Sequence, residues 1–241
     1  MTKSNFLNIS KKYPFLKRLY YFYNIYIRNF KFLKDGSQFG EDKFIFSQCI
    51  PKYKGKFLDI GCYHPTKHNN TYLLYNNGWT GINIDLNPLT IELFNYLRPR
   101  DKSINIAISD QDEIKKLYFI DELNTQNTLD NNHLIFLKNH HNIKDQEITE
   151  MEVKTKKIDQ ILIEHDFYNI DFMNIDVEGH ELNIIRNIDF EIFFIKFLCI
   201  EMINHNEKSL KNNNEIDILL RKNKYVLINK FGFNNIYEKK F

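Results

Sequence analysis

Three predicted β-strands end in acidic residues, at the edge of the sheet where α/β proteins bind their ligands. Asp59 closes the apolar run in FLDIGCYHP, Asp85 ends GINID and Asp110 ends INIAISD. A carboxylate after the second strand can accept hydrogen bonds from both hydroxyls of an adenosine ribose, and Ser109 and Asp110 lie where an adenine edge could be read. A single strand-terminal aspartate is often only a helix N-cap. Three in order, at consecutive strand ends, predict a nucleoside-binding edge.

Gly61 follows the first of these strands, and a glycine at this point lets a ligand approach the backbone. A dinucleotide site would need G-x-G-x-x-G aimed at a helix N-terminus. The loop contains one glycine only, so NAD binding is disfavoured. Asp59, two residues earlier, favours a cationic or hydroxyl-rich ligand over a pyrophosphate.

Two further strand ends carry an acidic residue followed by histidine at i+4. These pairs are Asp176 with His180, and Glu201 with His205. Both strands should end on the ligand side of the sheet, so the four side chains could converge on a divalent metal ion. Carboxylates alone suit Mg²⁺, whereas histidine ligands shift the preference towards Mn²⁺, Fe²⁺ or Zn²⁺.

The same residues allow a reading without metal. In that case His180 is the first candidate general base and Glu178 the second, with Asp176 beside them in the catalytic group. The purely structural alternative is that His180 and Glu181 face solvent and Asp176 only orders the turn at Gly179.

Strand and helix patterns alternate along the chain. Strands are predicted at 56–60, 80–85, 103–108, 170–176, 197–203 and 225–230, with an antiparallel closing strand at 233–238. Asn87 followed by Pro88 marks a helix start, and residues 69–76 predict a short helix. This order predicts an α/β fold with a largely parallel sheet and helices on both faces.

Residues 13–33 are rich in aromatic side chains. Lys17, Arg18, Arg28 and Lys31 leave only residues 19–27 free of charge, too few to cross a bilayer. A helix here, with Pro14 in its first turn, could lie on a membrane surface, form a homodimer contact or pack on its own domain. We favour the last of these.

Composition excludes several protein classes. Hydrophobic residues make up 43% and charged residues 27% of 241, and the net charge of +2 gives no field suited to nucleic acid. Three cysteines without a C-x-x-C pair favour a reducing, cytoplasmic location. We expect a helical extension at 1–36 and one domain at 37–241, with 121–147 as a lid or substrate insertion.

Five blocks of the sequence together resemble one family. They are SQFGED (37–42), DIGCYHP (59–65), NNTYLLYNNGWTGINID (69–85), AISD (107–110) and IDVEGHE (175–181). From about residue 37 to 203 the chain is similar to the FkbM family of S-adenosylmethionine-dependent methyltransferases. The resemblance implies the class I methyltransferase fold, which is Rossmann-like with a mostly parallel seven-stranded sheet.

The resemblance also implies roles for residues in these blocks. Asp59 and Gly61 would face the methionine part of the cofactor, Asp85 the ribose, and Ser109 and Asp110 the adenine, while Gln38 and Asn70 would line the same pocket. His64 and Pro65 stand where many methyltransferases have a further glycine. His64 could therefore point into the site or cap the turn.

The expected reaction is methylation of a sugar hydroxyl, on a nucleotide-linked sugar in surface polysaccharide synthesis. A hydroxyl is a poor nucleophile at neutral pH, so the site needs a general base or a metal ion. Two alternatives remain open: N-methylation of an amine or amino sugar, and a cofactor-binding partner subunit without catalysis.

Overall fold

The computed structural model describes residues 14–28, 34–50, 52–120, 127–129, 131–140, 143–144, 148–204 and 206–240. The strands are β1 Lys56–Ile60, β2 Thr80–Asp85, β3 Lys102–Asn105, β4 Ala107–Ile108, β5 Ile114–Phe119, β6 Thr149–Lys156, β7 Asn169–Ile175, β8 Phe194–Glu201, β9 Tyr225–Phe231 and β10 Asn234–Lys239. The helices are α1 Pro14–Phe22, continued by a π-helical turn Tyr23–Ile27, α2 Glu41–Ser47, α3 Tyr72–Asn76, α4 Pro88–Leu97, α5 Asn131–His140, α6 Ile158–Glu164, α7 Glu181–Arg186 and α8 Glu207–Lys222.

Seven strands form the main sheet, in the order β3-β2-β1-β7-β8-β10-β9. Strands β3, β2, β1, β7 and β8 pair in parallel, and β10 pairs antiparallel with both β8 and β9. The order reverses direction between β1 and β7, which is where an open α/β sheet forms its ligand crevice. The predicted α/β class and mostly parallel seven-stranded sheet are confirmed.

Apolar side chains pack on both faces of this sheet. Leu58 and Met173 belong to a core that includes side chains of α6, α7 and α8, whereas Phe57 and Phe172 pack with Trp79 and residues of α2 and α3. Neighbouring residues of a strand point to opposite faces, so each strand supplies both cores. The strands therefore read as continuous apolar runs rather than alternating ones.

The strand predictions hold best for β1 and β2. Strands β1 and β2 have the predicted bounds, and α4 begins as expected, because Asn87 Oδ1 accepts a hydrogen bond from Leu89 N at 3.0 Å. The predicted strand 103–108 is wrong as a single element. It divides at Ile106, after which β4 joins a second sheet of order β4-β6-β5. Strands β5 and β6 were not predicted.

Helix α1 and its π-helical turn pack on α4. Tyr21 and Ile25 contact Leu89 and Leu93, and the Tyr21 hydroxyl donates to Glu92 Oε2 at 2.6 Å. This is the arrangement favoured from the sequence. Among the described residues, no helix combines the length and apolar character needed to cross a bilayer.

The predicted insertion at 121–147 connects β5 with β6. Its described parts are residues 127–129, helix α5 and residues 143–144. Its role as a lid, and the domain boundary at residue 36, stay predictions.

Candidate active site

A cavity of about 450 Å³ opens at the carboxyl ends of β1, β2, β7 and β8, beside the point where the strand order reverses. Nine residues predicted for the site line it: Gln38, Asp59, Gly61, Asn70, Asp85, Asp176, Glu178, His180 and Glu201. The topology thus brings together side chains that are up to 163 positions apart in the sequence. His205 lies outside the described residues.

Ser109 and Asp110 do not line this cavity. The Ser109 hydroxyl is buried and donates to Asp110 Oδ1 at 2.9 Å, and Lys115 Nζ lies 3.1 Å from the same oxygen. Hydrogen bonds from Ser109 and Lys115 lower the pKa of Asp110. Ile106, Ala107 and Ile108 line the cavity at this strand end. The role of Ser109 and Asp110 in reading adenine stays a prediction.

Asp59 is fully buried and fixes the first loop. Its Oδ1 accepts a hydrogen bond from Asn174 at 2.9 Å, and its Oδ2 accepts from Asn69 at 3.0 Å and from the Thr71 hydroxyl at 2.8 Å. Burial raises the pKa of Asp59, while Arg98 and these hydrogen bonds oppose the rise. Asp59 therefore acts first as a structural acceptor, with Asn174 in register beside it on β7.

Arg98 is fully buried behind this network, and sequence patterns did not reveal it. Its Nε donates to Asp101 at 2.8 Å, and its two other nitrogens donate to Asn69 at 3.1 Å and Thr71 at 3.0 Å. The guanidinium also lies 4.8 Å from the centre of the Tyr75 ring. Arg98 thereby holds the two residues that orient Asp59.

Asp85 lies at the cavity wall with each carboxylate oxygen bonded once to the backbone. Oδ2 accepts from Tyr63 N at 2.9 Å and Oδ1 accepts from Asn87 N at 2.7 Å. Each oxygen keeps a further lone-pair site for a ligand hydroxyl. Burial raises the pKa of Asp85 to about 6, although the two backbone bonds oppose the rise.

A residue other than glycine at position 61 would displace the backbone of Asp176. The φ of Gly61 is +76°, and a Cβ atom built there would lie 1.7 Å from the backbone oxygen of Asp176. Asp176 N also donates to Ile60 O at 3.0 Å. The first loop and the end of β7 are therefore in direct backbone contact, which side-chain bulk at residue 61 would break.

His64 caps its own turn and does not line the cavity. Its Nδ1 accepts hydrogen bonds from Thr66 N at 3.2 Å and Lys67 N at 3.0 Å, which assigns the proton to Nε2. Nε2 then donates to Asn24 O, in the π-helical turn, at 3.2 Å. Burial lowers the pKa of His64 to about 4, so the ring is neutral near pH 7.

Three carboxyl groups meet where β7 and β8 end. Asp176, Glu178 and Glu201 each offer an oxygen atom, and these atoms lie within 4.8 Å of one another. Burial, followed by the nearby charges of Glu181 and Asp59, raises the pKa of Asp176 to about 7. Burial and the Asp176 charge raise the pKa values of Glu178 and Glu201 well above their usual range.

The turn after β7 tests the structural alternative, in which His180 and Glu181 would face solvent. Glu181 is buried, and its carboxylate accepts hydrogen bonds from Val177 N at 3.2 Å and Gly179 N at 3.0 Å. His180 lines the cavity, with Nε2 3.2 Å from the Asn183 amide. The alternative in which Glu181 faces solvent is therefore wrong, whereas His180 is half-buried at the cavity wall.

Two further segments support the cavity. Buried Glu41, from SQFGED, accepts hydrogen bonds from Phe39 N at 3.0 Å and the Asn234 amide at 2.6 Å, which fixes the loop bearing Gln38. Thr128, at the start of the insertion, donates to the backbone oxygen of Glu178 at 3.1 Å. The sequence did not single out either contact.

Two solved structures show low similarity to this chain. The TehB-like SAM-dependent methyltransferase from Corynebacterium glutamicum is 11% identical at a TM-score of 0.41, over 99% of this chain and 100% of that one. The methyltransferase FkbM from Methylobacillus flagellatus is 12% identical at a TM-score of 0.41, over 77% of this chain and 43% of that one. This chain therefore spans less than half of the second protein. No curated protein shows significant similarity.

The family comparison is more direct. The model of the methyltransferase FkbM domain matches residues 59–227, from Asp59 at the end of β1 into β9. The matched region supplies Asp85, the acidic group, the parallel strands β2, β3, β7 and β8, and the last two residues of β1. Because the match extends over more than half of the chain, the protein belongs to the FkbM family of S-adenosylmethionine-dependent methyltransferases.

Proposed function

We propose that the protein transfers the methyl group of S-adenosylmethionine to a hydroxyl oxygen of a sugar. The observation that carries the proposal is that one cavity has Asp85 on one wall and the three carboxyls Asp176, Glu178 and Glu201 on another. Carboxylates are suited to accepting hydrogen bonds from the several hydroxyls of a sugar. A small-molecule acceptor and the cofactor would then meet in the same cavity.

The residues fit the cofactor. Asp85 retains two lone-pair sites for the ribose hydroxyls, and the open backbone at Gly61 suits the methionine part. Ile84, Ile106 and Ile108 supply apolar wall for the adenine ring. Bound there, S-adenosylmethionine would supply an electrophilic methyl group, and the protein would supply position and proton acceptance.

Cofactor affinity should depend on pH through Asp85. Its pKa of about 6 in the free protein lies above the ordinary value, and the ribose hydroxyls bind the ionised carboxylate. Binding therefore lowers this pKa, and we expect affinity to be constant above pH 6 and to fall by up to about tenfold per pH unit below it. Isothermal titration across this range measures the profile.

Asp85→Asn is the control for this profile. In this variant the change in cofactor affinity centred near pH 6 should disappear. Any change in affinity near pH 7, the pKa of Asp176, should remain. Persistence of the change near pH 6 in the variant would contradict the role of Asp85.

The acidic group would handle the proton of the acceptor hydroxyl. Asp176 has a pKa of about 7, close to the operating pH at which a general base is most effective. His180, the first candidate base from the sequence, lines the same cavity and would take this role where Asp176 holds a metal ion. Glu178 is the further candidate. The acceptor proton would pass to one of these groups as the oxygen attacks the methyl carbon.

We also propose that this group binds a divalent cation. Three oxygen donors within 4.8 Å of one another form a hard donor set, which favours Mg²⁺ or Mn²⁺ over Fe²⁺. Such an ion would acidify the acceptor hydroxyl. Asp176, Glu178 and Glu201 would hold it. The predicted ligand His180 is not one of the three, although it lines the same cavity.

The test is methyl transfer to soluble sugars, measured as S-adenosylhomocysteine release. We expect turnover with a hydroxyl acceptor, at least about 100-fold loss in Glu201→Gln, and loss after dialysis against a chelator that Mn²⁺ or Mg²⁺ reverses. Lys116→Gln, an exposed change outside the cavity, is the matched control. Full turnover after chelation would reject the metal while leaving the methyl transfer intact.

The same assay separates the alternatives. An acidic cavity also suits a cationic amine, so transfer to an amino sugar that is insensitive to chelation would favour N-methylation. Cofactor binding without product release for any acceptor would indicate a non-catalytic subunit.

The nucleotide-linked form of the acceptor stays a prediction. None of the described lining residues is a lysine or arginine that could meet its phosphates. The surface polysaccharide pathway likewise rests on the family resemblance. Cytoplasmic location is supported by the three free thiols, Cys49, Cys62 and Cys199.

A further inference from the structure

The helix at residues 14–28 carries large apolar side chains on the face turned away from the domain. These are Phe15, Leu19, Phe22, Tyr23, Tyr26 and Ile27, with exposed fractions between 41% and 69%. Their spacing follows the helical repeat, and Phe22 and Tyr26 stack at 5.0 Å. The inward face is formed by Tyr21, Asn24 and Ile25. We call the six outward residues the apolar stripe.

Charge is distributed unevenly between this segment and the rest of the chain. Residues 1–34 contain eight lysines and arginines and no acidic residue, whereas residues 35–241 contain 25 basic and 31 acidic residues. Arg18 is exposed within the helix, beside the apolar stripe. A basic segment joined to an otherwise acidic protein is the arrangement that an anionic surface attracts.

We propose that the apolar stripe and its basic neighbours bind the surface of an anionic lipid bilayer. The helix would lie in the plane of the interface, with its aromatic and aliphatic side chains inserted at the headgroup boundary. The basic side chains would meet the lipid phosphates. The opposite face of the helix keeps its contacts with α4, so membrane binding needs no change in the fold.

The charge distribution also favours a bilayer over a second copy of the chain as the binding partner of the apolar stripe. Two copies joined through the apolar stripe would bring two basic segments together, and like charges across an interface oppose association. An anionic bilayer supplies the opposite sign. The stripe therefore fits a lipid surface better than a symmetric dimer contact.

Vesicle sedimentation tests the proposal with the full chain. We expect binding to vesicles of phosphatidylcholine mixed with phosphatidylglycerol, weak binding to phosphatidylcholine alone, and release by added salt. The triple variant Phe15→Ser/Leu19→Ser/Phe22→Ser should bind at least about tenfold less. Arg18→Glu should bind these vesicles at least about fivefold less than the wild type.

Ile218→Ser is the matched control, because Ile218 is 66% exposed on α8 and lies outside the stripe. It should bind vesicles as the wild type does. Circular dichroism and cofactor titration verify that each variant is folded. Equal vesicle binding by the triple variant and the wild type would overturn the proposal, as would a dimer in solution that the triple variant dissociates. The sedimentation assay uses no acceptor, so its failure is distinct from failure of the proposed sugar methylation.

Discussion

Replacing Asp85 by alanine is expected to weaken S-adenosylmethionine binding at least about 100-fold, since two charge-assisted hydrogen bonds to the ribose would each contribute about 1.5–3 kcal/mol. The change also leaves the backbone N–H groups of Tyr63 and Asn87 without their acceptor. Isothermal titration measures the affinity.

Asp112→Asn is the matched control for Asp85→Ala. Asp112 is exposed, lies outside the cavity, and accepts from Lys157 N at 3.1 Å, a bond that asparagine can also accept. Its affinity should equal that of the wild type. A loss smaller than about threefold in Asp85→Ala would contradict the ribose role, since one lost charged hydrogen bond already exceeds that factor.

The largest expected effect on stability is that of Arg98→Met. The guanidinium and the Asp101 carboxylate form an ion pair at 2.8 Å with both side chains fully buried. Removal of one partner leaves a buried charge without compensation and should lower the free energy of unfolding by about 3–5 kcal/mol. Asn69 and Thr71 would also lose a donor. Urea unfolding measures the change.

The double variant Arg98→Met/Asp101→Asn tests whether the unpaired carboxylate causes the loss of stability. It removes both charges and should recover part of the lost stability, because the penalty comes from the unpaired carboxylate. Arg100→Met, at an exposed arginine two residues away, should cost less than about 1 kcal/mol. Equal stability of Arg98→Met and Arg100→Met would show that the buried pair does not stabilise the fold.

Sequence patterns predicted the parallel part of the fold well because both faces of those strands are buried. The four residues from Phe57 to Ile60 are all buried, so β1 reads as one apolar run with an unambiguous end. Strands β5 and β6 were not predicted, for the opposite reason. Their sequences, IKKLYF and TEMEVKTK, are rich in charge, and all their residues except Leu117 and Thr155 are partly or fully exposed. They are strands because β6 pairs with both β5 and β4.

Residues of the cavity could be predicted where a strand end places them, and could not be predicted where they act through long-range contacts. Asp85 could be located from its strand end alone. Arg98 has no signal in the sequence, because its partners Asn69 and Thr71 are 29 and 27 positions away. Glu178 was predicted as a candidate base, but its place beside Asp176 and Glu201 depends on a left-handed backbone conformation, with φ of 53°, which the sequence does not predict for a glutamate.

Ser109 and Asp110 follow a predicted strand that the structure divides in two. Their position after a predicted third strand was right for a chain that stays in one sheet. The chain instead leaves the main sheet at Ile106, and both residues follow β4 into the second sheet. A one-residue break in an apolar strand is below what periodicity can detect.

The backbone contact between Gly61 and Asp176 has a consequence for how enzymes with this site can diversify. The wall that would hold the cofactor and the wall that bears the acidic group are fixed to each other by main chain, so side-chain substitutions elsewhere cannot change their separation. Residues 127–129 reach the same cavity from the connection between β5 and β6. Loops of this kind tolerate insertion and replacement far better than a sheet does. We therefore expect acceptor choice to evolve through this connection while the methyl-transfer geometry is inherited unchanged.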